Sequence, residues 1–439
     1  MVWKIGEFGM TSWPTDPPSA LYAALSRETF TAPPLSGMIE ADVAVIGGGI
    51  GGLSAALHLR QAGISTVVLE ARTIGAGASG RNNGQVIPTL TRHDPEAVLA
   101  LMGAERGDAF LRLVQGSADL LFDTAERYGI DCDARRTGWI QPAHSPGRAR
   151  LAVARAAQWQ ARGAPVEALD AAGMAEHLGS DVYFGGWRHG GGGHINPLAF
   201  TRGLARAVQE EGGIIRENSP VMELQREADG WRLRTSDGAV RCRRVVVLTA
   251  AYTGGLWPGL ASTIVPVTSY QLATHRLPAV IVKKILPHDE AASDTRFDLR
   301  YFRKDRQGRL ITGGALAIQI AVHARLQALV GSKLAETFPD IDTPDLPHFW
   351  GGRIPMTVDR LPHLHRTADG LVGWIGCNGR GLALCMAMGS VMRDAVLDVA
   401  DDALPLAPTP FVPVPFQPLV RRVARLALVN FRRKDAREV

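Results

Sequence analysis

The chain has 439 residues, 46% of them hydrophobic, which is enough for more than one buried core and predicts two or more domains. Its formal net charge of +5 does not point to a nucleic-acid partner: the seven basic residues and two acids from Arg421 onward carry all of it, and the rest is net neutral. Four scattered cysteines (Cys132, Cys242, Cys377, Cys385) without a C-x-x-C pair argue for a reducing compartment and against a zinc centre or disulfide framework, so no metal is expected.

The N-terminal MVWKIGEFGM lacks the apolar segment of a signal peptide. No apolar run reaches about 18 residues, so a cytoplasmic protein without a transmembrane helix is expected. Residues 1–37, rich in proline and polar turn residues, read as an arm over the surface. The next stretch, Ala41 to Glu70, is ADVAVIGGGIGGLSAALHLRQAGISTVVLE. A β-branched run, Val43 to Ile46, enters the turn Gly47-Gly48-Gly49-Ile50-Gly51-Gly52. An amphipathic helix follows with Leu53, Ala56, Leu57 and Leu59 inward and stops at Gly63; a second apolar run, Thr66 to Leu69, ends in Glu70. Gly47, Gly49 and Gly52 fill the G-x-G-x-x-G pattern: a tight turn, a backbone that can approach a pyrophosphate, and close packing of helix on strand. The helix N-terminus presents unpaired N–H groups to phosphates, and Glu70 stands where a carboxylate accepts from an adenosine ribose. A buried hairpin or a membrane span is the bland alternative, but Val43 to Leu57 is short and glycine-rich for a span.

A glycine-rich loop, Gly75 to Gln85, comes next. Helical periodicity runs from about Glu96 to Tyr128 and from Arg148 to Arg162. Alternation returns at Gly230 to Thr235 and Val240 to Ala250, with a hairpin signal at Asp237-Gly238. Mixed pattern covers Val265 to Thr274 and Leu299 to Gly313, followed by a helical stretch from Ile320 to Phe338. Gly370 to Gly376 reads as an apolar strand, and Asn378-Gly379-Arg380-Gly381 opens a helix from Leu382 to Val399. Pro405 to Pro418 is a proline-rich strap. Beyond it Leu419, Val423, Leu426 and Asn430 recur at helical spacing among arginines. That tail reads as a helix docked on the body with solvated charges, and leaves open a basic amphipathic helix on an anionic membrane.

Together the opening βαβ unit, GASGRNNGQ, GGGHINPLAFTRGLARA, RRVVVLTAAYTGGLWP and GWIGCNGRGLALCMAMG resemble the FAD-dependent oxidoreductases of the D-amino-acid oxidase superfamily. The likeness is greatest to the branch of glycine oxidase and γ-glutamylputrescine oxidase and runs from about Met38 to Val399. It implies a mixed α/β fold: a Rossmann-like FAD-binding domain assembled from 38–87, 197–252 and 350–400, with an antiparallel-sheet substrate domain inserted as 88–196 and 253–349. Residues 401–439 remain as strap and basic helix.

FAD is the cofactor this resemblance implies. The expected contacts are Gly47, Gly49, Ile50 and Gly52 with Glu70, Ala71 and Arg72; the loop Ala78, Ser79, Arg81, Asn82, Asn83, Gly84 and Gln85; Val221 and Ala250; and Gly379, Arg380, Gly381 and Leu382. Ser79, Arg81 and Asn82 are expected to offer donors to anionic oxygens, and the last helix N-terminus to face the flavin's pyrimidine ring, where its dipole raises the reduction potential. A plain turn before a core helix is the bland reading of Gly379 and Gly381. The implied reaction is oxidation of a C–N bond of a primary or secondary amine, of amino-acid or γ-glutamyl-amine type, by hydride transfer to flavin N5. The imine then hydrolyses, and electrons pass to O2 or to a quinone or carrier.

For substrate positioning the resemblance selects Tyr270 and Gln271, on a flavin-facing strand, and Arg303 and Arg353 as carboxylate anchors. Surface duty is the bland reading of each arginine, since the chain has only six lysines. Some relatives place a lysine above the flavin to aid oxygen, whereas Arg309 to Gly313 carries none, which leaves the acceptor open. His363 and His365 stand where relatives place proline followed by glycine and read as loop histidines; Cys377 is no clear carrier for a covalent flavin. The competing function is a flavoprotein dehydrogenase subunit with little activity of its own, docked to a partner or membrane.

Overall fold

The computed structural model describes residues 2–4, 20–341, 345–423 and 427–438. Residues 5–19 of the expected N-terminal arm, and residues 424–426 of the expected tail helix, lie outside the described residues.

Two large sheets organise the chain. In the first, the strand Gly37–Ile46 runs parallel between Gly238–Val247 and Thr66–Leu69, and Thr66–Leu69 pairs in parallel with Ile214–Arg216. Leu371–Ile375 adds a further parallel neighbour to Gly238–Val247 and carries His363–Arg366 antiparallel on its other side. The hairpin Glu223–Glu227 and Gly230–Arg234 continues the sheet, and Val2–Lys4 closes that edge.

Alternation along Gly37–Ile46 sends its side chains into two cores. Val43 and Val45 meet Leu53 and Leu57 of the helix Ile50–Gln61, Phe200 and Leu204 of Pro197–Glu210, and Met388 and Met392 of Gly381–Val396. Ala44 and Ile46 meet Trp231, Val245 and Trp257 on the opposite face. Fully burying a leucine-sized side chain contributes about 1.5–3 kcal/mol, so the helical face is the main source of cohesion. Helices Ile50–Gln61 and Gly381–Val396 cross where the Ser54 hydroxyl donates to Met386 O at 2.7 Å. That crossing aims both helix starts toward one end of the sheet.

The periodic stretch Glu96 to Tyr128 forms three helices, Pro95–Met102, Ala104–Gln115 and Ser117–Arg127, broken at Gly103 and Gly116. Phe110 and Leu121 from these helices join the same core as Leu53 and Met388. They therefore thicken the helical layer of the first sheet, although they lie within the first segment expected to be inserted.

The second sheet runs His348–Met356, Val265–Ala273, Leu310–Gly314, Tyr301–Lys304, Ala291–Ser293, Trp139–Pro142, Gly186–His189 and Val166–Leu169. Its pairs are antiparallel except for Ala291–Ser293 against Trp139–Pro142, which is parallel. The helix Val322–Thr337 covers one face through Leu326, Val330 and Leu334 against Leu272, Phe302 and Leu310. The expected domain boundary at residue 350 falls inside the edge strand His348–Met356, whose register with Val265–Ala273 is continuous.

The C-terminal segment wraps both halves. Phe411 packs on Trp257 and His365, and Thr409 N donates to Leu364 O at 2.8 Å. Gln417–Val423 and Ala427–Asp435 are helical. From the second, Phe431 stacks on Phe297, Arg432 pairs with Asp298 at 2.7 Å, and Asp435 accepts from Phe297 N and Asp298 N, both at 2.9 Å. The tail is thus held to the body at several points. Among the described residues, no helix is long and apolar enough to cross a membrane.

His189, 1% exposed in the second sheet, has its ring value lowered to about 4 by burial and by the Arg188 guanidinium beside it. Burial likewise lowers His58, His144, His194 and His365. The unfolded chain binds these protons more readily, so stability is full above pH 6.5 and falls as pH drops from 6.5 toward 4. Urea unfolding across that window should show the loss, and His189→Gln should flatten the slope.

Candidate cofactor and active site

Gly47 leaves the strand at φ +110°, and a Cβ there would stand 2.6 Å from Leu248 O. At Gly52 a Cβ would stand 1.9 Å from Gly47 O, so helix and turn touch through bare backbone. Ile50 N donates to the Ser79 hydroxyl at 2.9 Å, while the remaining first-turn N–H groups of the helix have no intrahelical partner. Glu70 accepts from Gly48 N at 2.7 Å on one oxygen and from Arg72 N at 2.9 Å on the other. Burial raises the Glu70 carboxyl, opposed by those two bonds and reinforced by Glu217.

A cleft of about 1310 Å³, its open mouth included, runs from this turn along Glu70, Ala71 and Arg72, past Ala78 and Ser79, to Val221 and Ala250. Its far wall is Tyr252, Pro355, Trp374, Cys377 and Cys385. The Thr249 hydroxyl and the Trp374 indole N–H border it, buried and without a partner among the described residues. An elongated cleft over a glycine turn, with a carboxylate at one end and two orphaned donors farther along, fits an FAD. Tyr252 and Trp374 were not anticipated; in sequence each reads as an ordinary aromatic at the edge of a core strand.

The loop after the cleft is knotted to itself and to the second sheet. Asn82 Nδ2 donates to Ser79 O at 2.8 Å, and its Oδ1 accepts from Gly84 N at 2.9 Å. Arg81, 3% exposed, donates to Ala76 O at 2.7 Å and to Gly351 O at 3.3 Å, while Trp350 Nε1 donates to Arg81 O at 2.9 Å. Tyr22 reaches from the N-terminal helix Ala20–Leu25 to donate to Asn82 O and Asn83 O. Gln85 donates to Ala292 O at 2.8 Å.

Strand alternation divides the residues expected to position substrate. Gly352 approaches Arg81 and Ala78, and Gln271 meets Asn83 Nδ2 at 3.2 Å, so these two face the cofactor loop. Tyr270 and Arg353 face the other way. Tyr270 stacks on Phe349 and bonds Gln319, and the Arg353 guanidinium lies 5.9 Å from the Tyr252 ring. Arg303 is buried with Nε on Asn83 O and Nη2 on the Tyr22 hydroxyl at 3.1 Å. Tyr301 was not anticipated: its hydroxyl accepts from Gln271 Nε2 and donates to Tyr270 O, each at 3.1 Å, and burial raises its phenol.

At the last glycine turn, Gly379 is exposed and Leu382 buried, and the helix begins at Gly381. Arg380 donates to Thr89 Oγ1 and to Leu90 O at 2.6 Å and lies 4.8 Å from the Trp139 ring. His363 pairs with Asp359 at 3.0 Å, and His365 bonds Thr409 O at 2.7 Å, so both serve the loop and the strap.

The turn, the cleft and the second sheet set over the cofactor loop define a flavoprotein built on two large sheets. A family model described as FAD dependent oxidoreductase (DAO) matches residues 42–395. The γ-glutamylputrescine oxidoreductase of Escherichia coli K12 is 30% identical over 403 residues, 91% of this chain and 94% of that protein. The glycine oxidase of Bacillus licheniformis is 23% identical over 81% of this chain and 93% of its own. The solved glycine oxidase of Geobacillus kaustophilus superposes with a TM-score of 0.72 at 22% identity, covering 85% of this chain and 100% of that one. The chain belongs to the DAO family of FAD-dependent oxidoreductases, and its cofactor is FAD.

Gly52→Ala forces a methyl against Gly47 O and should open the turn. The purified variant is expected to lack the visible flavin bands while keeping wild-type far-ultraviolet circular dichroism.

Proposed function

We propose that the protein oxidises the C–N bond of a primary or secondary amine, of amino-acid or γ-glutamyl-amine type, giving an imine that hydrolyses. The observation that carries this is the likeness to γ-glutamylputrescine oxidoreductase over nearly the whole of both chains. FAD, when bound, supplies the two-electron chemistry by taking a hydride from the carbon beside the amine. The chain's residues supply position. Asn83, Gln271 and Tyr301 form an uncharged, hydrogen-bonded cluster between the cofactor loop and the second sheet. An uncharged, partly dry setting disfavours an ammonium and so favours the neutral amine whose lone pair the reaction needs. Arg380, over Trp139 and beside the last helix start, is the cation proposed to hold an acidic end of the substrate, while Arg303 reaches the cluster to hold Asn83 O and the Tyr22 hydroxyl.

Anaerobic mixing with a panel of amino acids, simple amines and γ-glutamyl-amines should bleach the flavin with at least one compound; no bleaching by any would overturn the reading. With that compound, Tyr301→Phe should slow bleaching by about tenfold or more with the flavin bands retained, and an unchanged rate would remove Tyr301 from the site. Peroxide on admission of air identifies an oxidase, and its absence a dehydrogenase with another acceptor.

A cytoplasmic enzyme acting without docking is the location proposed. The tail's contacts with Phe297 and Asp298 support it over the membrane-docked alternative. Anionic liposomes should leave the protein in the supernatant; co-sedimentation lost on deleting the residues after Pro418 would favour the alternative.

A further inference from the structure

A second cavity, of about 740 Å³ with its open mouth included, is lined by Arg303 and shares no lining residue with the cofactor cleft. Tyr22, His194 and Asn196 line it together with Arg303, Lys304 and Arg306. Three carboxylates also border it, and each is already matched. Asp305 pairs with Arg309 at 3.2 Å, Asp289 with Arg135 at 3.5 Å, and Asp133 with Arg306 at 3.6 Å.

Two cations are left over. Arg303 is 3% exposed and bonds only neutral groups: Asn83 O, Lys304 O and the Tyr22 hydroxyl. Lys304 is 9% exposed, and its ammonium donates to a single acceptor, Val282 O at 3.2 Å. An ammonium carries three donors, so two remain for the cavity. Neither residue has a carboxylate within ion-pair distance among the described residues. Holding charge out of water without a direct ion pair is costly, and burial lowers the Lys304 ammonium, opposed only from beyond ion-pair distance by Asp289. An entering anion would supply the missing charge and accept the spare donors.

We propose that this cavity is a second ligand site, for a small anion of carboxylate or phosphate type, separate from the site of oxidation. Its occupancy reaches the cofactor loop through two groups on its wall. Arg303 Nε holds Asn83 O, and the Tyr22 hydroxyl holds Asn82 O and Asn83 O at 3.0 and 3.1 Å. An anion that draws Arg303 or restrains Tyr22 therefore acts on the backbone between Asn82 and Gly84, and a bound flavin reports it.

The test is a calorimetric and visible-absorbance titration of the FAD-loaded protein with inorganic phosphate and, separately, with succinate. At least one should bind saturably and perturb the flavin spectrum, and which one binds identifies the ligand chemistry. Lys304→Met should weaken that binding by about tenfold or more, while Lys304→Arg, which keeps the charge, retains it. If Lys304→Met does not fold, Arg135→Gln, at the rim and about half-exposed, should weaken binding instead. No saturable binding of either anion, or wild-type binding in the folded variant, would overturn the proposal.

Discussion

A guanidinium buried between a cofactor loop and a second sheet has to have its donors met, or the two do not pack. Arg81 is that group. It ties Ala76 O on its own loop to Gly351 O on the edge strand of the second sheet, and the Trp350 indole returns a bond to Arg81 O. This reciprocal pair sets how far the second sheet stands from the cofactor loop. Everything that faces the loop from that sheet, Gln271 and Tyr301 included, inherits its position from the pairing of His348–Met356 with Val265–Ala273. Arg81, expected to offer donors to anionic oxygens, donates to these two backbone carbonyls and so sets the spacing between the two halves of the molecule.

The glycine turn and its acid were legible because a βαβ unit is local: strand, turn, helix and carboxylate lie within 30 residues, and each position has one physical demand. The choice between Tyr270 and Gln271 was not legible. Adjacent strand residues point to opposite faces, and which face meets the loop is decided by pairing with strands some 40 and 80 residues away. Arg303 shows a related limit. Its residue type suits a carboxylate, yet its direction is fixed by Asn83 O and by Tyr22, a residue from the opposite end of the chain's long contacts.

The helices between residues 95 and 127 show a different gap. Their periodicity was plain, but not their destination, because an amphipathic stripe states that a face is buried and not against what. Phe110 and Leu121 cover the helix Gly381–Val396, nearly three hundred residues onward. The tail gave the converse: its charges drew attention to solvent or membrane, whereas Phe431, Arg432 and Asp435 spend themselves on the loop at Phe297 and Asp298.

Strand order carries one more consequence, in time. Gly37–Ile46 leaves the ribosome early, but its parallel neighbour Gly238–Val247 follows two hundred residues later, and Leu371–Ile375 later still. The Trp374 and Cys377 wall of the cleft is absent until then. Parallel pairing over such separations is slow, and its half-made edges are adhesive. The nascent chain therefore carries an early dinucleotide turn with no second wall to grip against, and cofactor capture becomes a late event that coincides with closure of the sheet.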